Sequence, residues 1–82
     1  MNEQRLLEKA IAIAVEAHQG QTDRYGTPYI LHPLRVMCRL DGVAEKTVGI
    51  LHDVVEDTDW TLKDLEEEGF TANILDALDS VK

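Results

Sequence analysis

Four side chains able to bind a cation or move a proton crowd into one short stretch, H-D-V-V-E-D-T at residues 52–58: His52, Asp53, Glu56 and Asp57. On a helix, at about 100° per residue, the four share an arc of about 140°. His52 and Glu56 stand one turn apart, as do Asp53 and Asp57. The rest of the circumference is apolar, with Ala44, Val48, Leu51 and Val55 in one stripe and Ile50 and Val54 beyond it. A helix apolar over most of its surface is usually buried. Carboxylates buried beside an imidazole destabilise the fold unless a cation or hydrogen bonds compensate them. Acidic groups at a helix C-terminus also oppose the macrodipole. A metal ion at this end is the simplest compensation.

A second source of ligands lies twenty residues earlier, where His32 precedes Pro33. Two imidazoles and a carboxylate, His32, His52 and Asp53, suit Mn, Fe, Co, Ni or Zn better than Ca or Mg. Carboxylates beside such an ion, here Glu56 and Asp57, are what activating a water and protonating a leaving group require. Other polar residues carry weaker signals. His18 reads as a hydrogen-bonded histidine at a helix end. Arg24, in a glycine-containing loop, has a phosphate partner or solvent as equal alternatives, and Arg35 and Arg39 are ordinary surface cations or line the same mouth. Tyr29 reads as packed with its hydroxyl left to bond, Trp60 as a half-buried loop anchor, and Glu66 to Glu68 as a solvated face.

Five helices must position these groups. Residues 3–18 carry Leu6, Leu7, Ala10, Ile11, Ala14 and Ala17 at helical spacing, with Asn2 as N-cap and a stop at Gly20. Residues 19–31 form a loop punctuated by Gly26 and Pro28. Pro33 suits the first position of a short second helix, with Leu34, Met37 and Leu40 inward and Gly42 as its end. The third runs over about residues 44–56 and is broken by Thr58 and Asp59. Thr61 and Asp64 form a capping box for a fourth, with Leu62 and Leu65 inward, ending at Gly69. Thr71 caps a fifth, carrying Ile74, Leu75, Leu78 and Val81. No repeat, low-complexity tract or alternating strand pattern occurs, so the chain reads as all-α.

The 82 residues make one domain with a modest core. A net charge of -8, from 16 acidic and 8 basic residues, argues against a nucleic-acid binder, which would present a basic stripe. It does not exclude a phosphorylated ligand, because a metal and a few local cations can dominate the field at a site. No apolar run reaches membrane-spanning length, and the N-terminus lacks a basic-then-apolar leader pattern. Cys38 is alone, so there is no intrachain disulfide framework and nothing argues for secretion. A cytoplasmic location is the expectation.

Three motifs together carry a resemblance: A-H-Q-G-Q at residues 17–21, G-T-P-Y-I-L-H-P at 26–33 and L-H-D-V-V-E-D-T at 51–58. They resemble the HD-type hydrolase domain of RelA/SpoT proteins, and the small single-domain alarmone hydrolases in particular, from about residue 6 onward. The resemblance implies an HD-domain-like bundle of about five helices and a bound divalent ion, usually manganese. It implies hydrolysis of the 3′-pyrophosphate of ppGpp or pppGpp to GDP or GTP plus pyrophosphate. Carried over, His32, His52 and Asp53 are the metal ligands, Glu56 and Asp57 the catalytic acidic pair, and Arg24, Tyr29 and Thr58 the substrate-binding residues. Asp23 departs from the pattern, standing where long members commonly have a second basic residue. The family's remaining metal ligand is an aspartate on a later helix, and Asp76 and Asp79 do not match it. The expectation is therefore the N-terminal part of the full fold, incomplete at its C-terminus, either a fragment of a longer hydrolase or a short form. Uncovered apolar faces then favour self-association. Two other functions stay open: an HD-type hydrolase of another nucleotide or phosphoester, and an inactive module that binds a nucleotide or a protein partner.

Overall fold

Periodic apolar residues between well-defined caps give five helices, seen in a computed structural model that describes residues 2–80. They are α1 (Glu3–Ala17), α2 (Leu31–Cys38), α3 (Val43–Asp57), α4 (Leu62–Glu67) and α5 (Ala72–Ser80). The fold is all-α, consistent with an HD-like bundle, and the described residues contain no strand beyond an isolated bridge between Thr22 and Pro28. None of these helices is long and apolar enough to cross a membrane. Val81, expected to continue the fifth helix, lies outside the described residues.

The caps explain several boundaries. The Asn2 side chain accepts from the Arg5 N–H at 2.8 Å and opens α1. Thr61 and Asp64 complete a reciprocal capping box at α4, so the shorter aspartate reaches as well as a glutamate would. Two boundaries differ from the sequence reading. Pro33 is the third residue of α2 rather than its first, because backbone turns from Tyr29 and Pro28 start the helix at Leu31. The shift is tolerated because the first four N–H groups of a helix have no intrahelical partner, so proline costs none. Gly42 does not end α2, which stops at Cys38; it is the extended N-cap of α3.

α3 is the central element, packed mainly on α1 and flanked by α2 and α5, while α4 rests on α5. Leu6, Ala10, Ile13 and Ala14 of α1 meet Ile50, Leu51 and Val54 of α3, and Leu65, Phe70, Ile74 and Leu78 close the core. The small Ala10 and Ala14, fully buried, let α1 approach closely. The stripe of Ala44, Val48 and Val55, read from sequence as core, is only half-buried. Those residues line two adjoining clefts that meet at His52, one between α2 and α5 and one beneath Trp60 and Leu78. The other helices seal α3 on its α1 side and leave this side open.

Two contacts set α2, and with it His32, against α3. A Cβ added at Gly49 would come within 2.7 Å of the Leu40 side chain, so the glycine admits a close approach. Lys46 donates from Nζ to the Met37 carbonyl at 3.2 Å and to the Leu40 carbonyl, placing a cation at the C-terminal end of α2. Replacing the ammonium while keeping the stem isolates this contribution. Lys46→Met should lower the free energy of unfolding by about 1–2 kcal/mol, read from urea melts; an unchanged midpoint would show that the two bonds contribute nothing.

Candidate functional site

The last two turns of α3 present His52, Asp53, Glu56 and Asp57 along one edge. The first turn of α2 brings His32 across to them, and the residue two before that helix brings Tyr29. Asp53 is the floor, with its side chain only 14% exposed, whereas His32 and Glu56 at 58% and 62% form the rim. The Asp53 carboxylate stands between two imidazoles, Oδ2 at 3.7 Å from His32 Nε2 and Oδ1 at 3.7 Å from His52 Nδ1. These distances are too long for hydrogen bonds, so lone pairs on all three residues remain free for another partner. The expected burial of every carboxylate does not hold. Only Asp53 is largely shielded, while Glu56 and Asp57 are exposed because α3 ends at the surface.

The remaining groups are paired. His52 Nε2 lies 3.1 Å from Glu56 Oε2. The Tyr29 hydroxyl donates to Asp57 Oδ2 at 2.9 Å, so the hydroxyl left to bond by the sequence finds its partner here. Burial, that hydrogen bond and the nearby carboxylates of Asp53, Asp57 and Glu56 push the Tyr29 phenol well above its ordinary range, so it remains a donor.

Asp53 is pushed upward chiefly by burial, with a further push from Asp57, against the pull of His32, His52 and His18. Two imidazoles and one desolvated carboxylate form a donor set whose chemistry fits a first-row divalent ion. Among the described residues, however, no group of three or more His, Cys, Asp or Glu side chains stands at the spacing of a closed metal centre. Ligands about 2.1 Å from one ion are themselves about 3–3.4 Å apart, so the two 3.7 Å gaps have to tighten by a few tenths of an ångström.

The structure thus gathers Tyr29, His32, His52, Asp53, Glu56 and Asp57; of the other two expected site residues, Thr58 borders the cleft shared with His52 and Glu56, and Arg24 lies in the loop between α1 and α2. Arg24 places its guanidinium 5.6 Å from the centre of the exposed Tyr25 ring. The Thr58 hydroxyl donates to the Val54 carbonyl and accepts from the Trp60 N–H at 3.2 Å, terminating α3. Asp23 shapes the loop, its Oδ1 accepting from the N–H groups of Tyr25 at 2.8 Å and Thr27 at 3.0 Å. With Gly26 at φ 81°, it folds the loop tip. Sequence reasoning missed that role, although D-x-x-G between two helices is a turn signal. His18 is the helix-end histidine expected: it caps α1, and its Nδ1 lies 3.1 Å from Gln21 Oε1.

The upward shift of Asp53 fixes the sign of a pH effect. The folded chain binds this proton more tightly than the unfolded chain, so the contribution to stability is full below the ordinary carboxylate range. It is lost as pH rises through the folded value. With chelator present, Asp53→Asn should raise Tm at neutral pH, and the difference should shrink on acidification. A variant melting below the parent at pH 7 would contradict the desolvation account.

No family model matches the chain, but curated relatives do. The bifunctional (p)ppGpp synthase/hydrolase SpoT of Escherichia coli is 42% identical over 65 residues, 74% of this chain and 9% of that protein. A guanosine-3′,5′-bis(diphosphate) 3′-pyrophosphohydrolase of Vibrio cholerae is 38% identical over 80 residues, 92% of this chain and 11% of that protein. A GTP pyrophosphokinase of Streptomyces coelicolor is 41% identical over 68 residues, 78% of this chain and 8% of that protein. The chain therefore spans about a tenth of the length of the curated relatives it matches. Identity of about four residues in ten, sustained across most of these 82 positions, settles the kinship: the chain belongs to the SpoT/RelA-type family of (p)ppGpp hydrolases and synthetases.

Proposed function

We propose that this segment is the catalytic part of a manganese-dependent phosphohydrolase that removes the 3′-pyrophosphate of a guanosine alarmone, yielding GDP or GTP. One observation carries the reading: the Asp53 carboxylate sits desolvated between His32 and His52, with Glu56 and Asp57 on the same edge. Two of the relatives bear hydrolase names for this substrate class, which supports the choice of leaving group.

His32, His52 and Asp53 would hold the ion. When bound, it supplies positive charge against the phosphoryl oxygens and lowers the pKa of a water molecule. Asp57 accepts a hydrogen bond from Tyr29, which orients the carboxylate to take the proton of the attacking water. The water oxygen bonds to phosphorus as the bond from phosphorus to the ribose 3′ oxygen breaks, and the carboxylate pair returns a proton to the departing oxygen. Glu56 stands on the rim beside His52 Nε2, the exposed member of the edge placed to give that proton.

The ligand and acid roles separate experimentally. His52→Ala and Asp53→Ala should lose both calorimetric Mn binding and turnover. Glu56→Gln should keep Mn binding and lose turnover by about 100-fold or more. Mn-dependent hydrolysis surviving in Asp53→Ala would sink the assignment. A panel of ppGpp, GTP, deoxynucleotides and cyclic nucleotides distinguishes an alarmone hydrolase from one acting on another phosphoester. Absence of Mn binding in the parent chain would point to a non-catalytic binding module.

A further inference from the structure

His18 is 2% exposed, and its Nε2 is a buried nitrogen without a hydrogen-bond partner. A phenylalanine or leucine would fill similar space without leaving a bare polar atom in the core, so packing alone does not explain an imidazole here. Its other nitrogen and its ring face have specific partners. Nδ1 meets Gln21 Oε1 at 3.1 Å, and the ring lies 5.1 Å from that of Tyr29, tilted by 55°. Tyr29 stacks in turn toward His32 at 5.7 Å. Gln21 joins the same partners through its backbone: its N–H donates to the His18 carbonyl at 2.9 Å, and its carbonyl accepts from the Tyr29 N–H at 2.9 Å. Both the backbone and the ring of Tyr29 are therefore fixed to the end of α1 through this one pair, and the Tyr29 hydroxyl ends on Asp57.

We propose that His18 is a positioning residue, whose imidazole, anchored by Gln21 and braced against Tyr29, holds the Tyr29 hydroxyl on Asp57 at the edge of the site. The consequence for turnover rests on the hydrolase reading above, whereas the effect on Tyr29 does not. The Nδ1 contact is the part an apolar residue cannot reproduce. Asn places a side-chain amide near the position of Nδ1, while Gln places it nearer Nε2, so the two substitutions separate the nitrogens.

With two tyrosines in the chain, ring-labelled tyrosine gives two Cζ resonances, and hydroxyl exchange at Tyr29 is read from the deuterium isotope shift on its own signal. His18→Phe and Gln21→Leu should each speed exchange at Tyr29 and leave Tyr25 unchanged. In the presence of Mn, both should lower kcat by about 10- to 100-fold, with KM and Mn affinity preserved. His18→Asn should restore slow exchange and most of kcat; His18→Gln should not. Should His18→Phe fail to fold, Gln21→Leu and His18→Asn carry the test. Unchanged Tyr29 exchange in Gln21→Leu, or equal rescue by His18→Gln, would overturn the proposal. A parent chain without turnover would count against the hydrolase reading alone, since the exchange measurement still decides the role of His18.

Discussion

The site depends on an electrostatic imbalance at the end of one helix. The last turns of α3 carry Asp53, Glu56 and Asp57 where the macrodipole already concentrates negative potential, and no basic residue lies in the last turn. Desolvation raises Asp53, and the proximity of Asp57 raises it further. The nearby imidazoles offset part of this, but at 3.7 Å neither hydrogen-bonds the carboxylate. A positive charge beside Asp53 would offset these effects. The floor of the site is thus a partly shielded carboxylate whose two neighbouring imidazoles stand beyond hydrogen-bond distance.

Holding that imbalance in place is a packing problem, and the helices solve it through α3. Its α1-facing side is sealed by Leu6, Ala10, Ile13 and Ala14 against Ile50, Leu51 and Val54. That contact fixes the rotation of α3 and therefore the direction of Asp53. His32 reaches the site only because α2 crosses close to α3 at Gly49 and is held there by Lys46. His52, Asp53, Glu56 and Asp57 thus share one helix, while the second imidazole arrives on a short helix secured by a few contacts. Separations of 3.7 Å fit this division, since small movements of α2 alter the His32–Asp53 gap without disturbing the core.

Much of this was legible in the sequence, because caps and periodicity are local. Asn2, the Thr61–Asp64 box and the apolar spacing of α1 and α3 place three of the five helices within a residue or two. The arc of His52, Asp53, Glu56 and Asp57 follows from helical geometry alone. What periodicity cannot show is what lies opposite a face. Ala44, Val48 and Val55 have the pattern of core residues yet border open clefts. The start of α2 depended on turns through Tyr29 that outweighed the preference of proline for the first helical position. Arg24 and Thr58 carried a family expectation, but the local turn chemistry of Asp23 and of the α3 terminus engages that loop and that hydroxyl in backbone structure.

The loop between α1 and α2 joins these two levels. Its tip is folded by Asp23 and its base is closed by Gln21, whose backbone bonds both His18 and Tyr29. Tyr29 then points inward with its hydroxyl on Asp57, the last residue of α3. Burial and the surrounding negative charge keep the phenol protonated, so it stays a donor to Asp57. Asp57 is exposed and would otherwise sample several rotamers. A bond from a ring packed against buried His18 restricts it at the cost of one polar atom left bare in the core. The Asp57 carboxylate is thus tied, through the ring and backbone of Tyr29, to the end of α1.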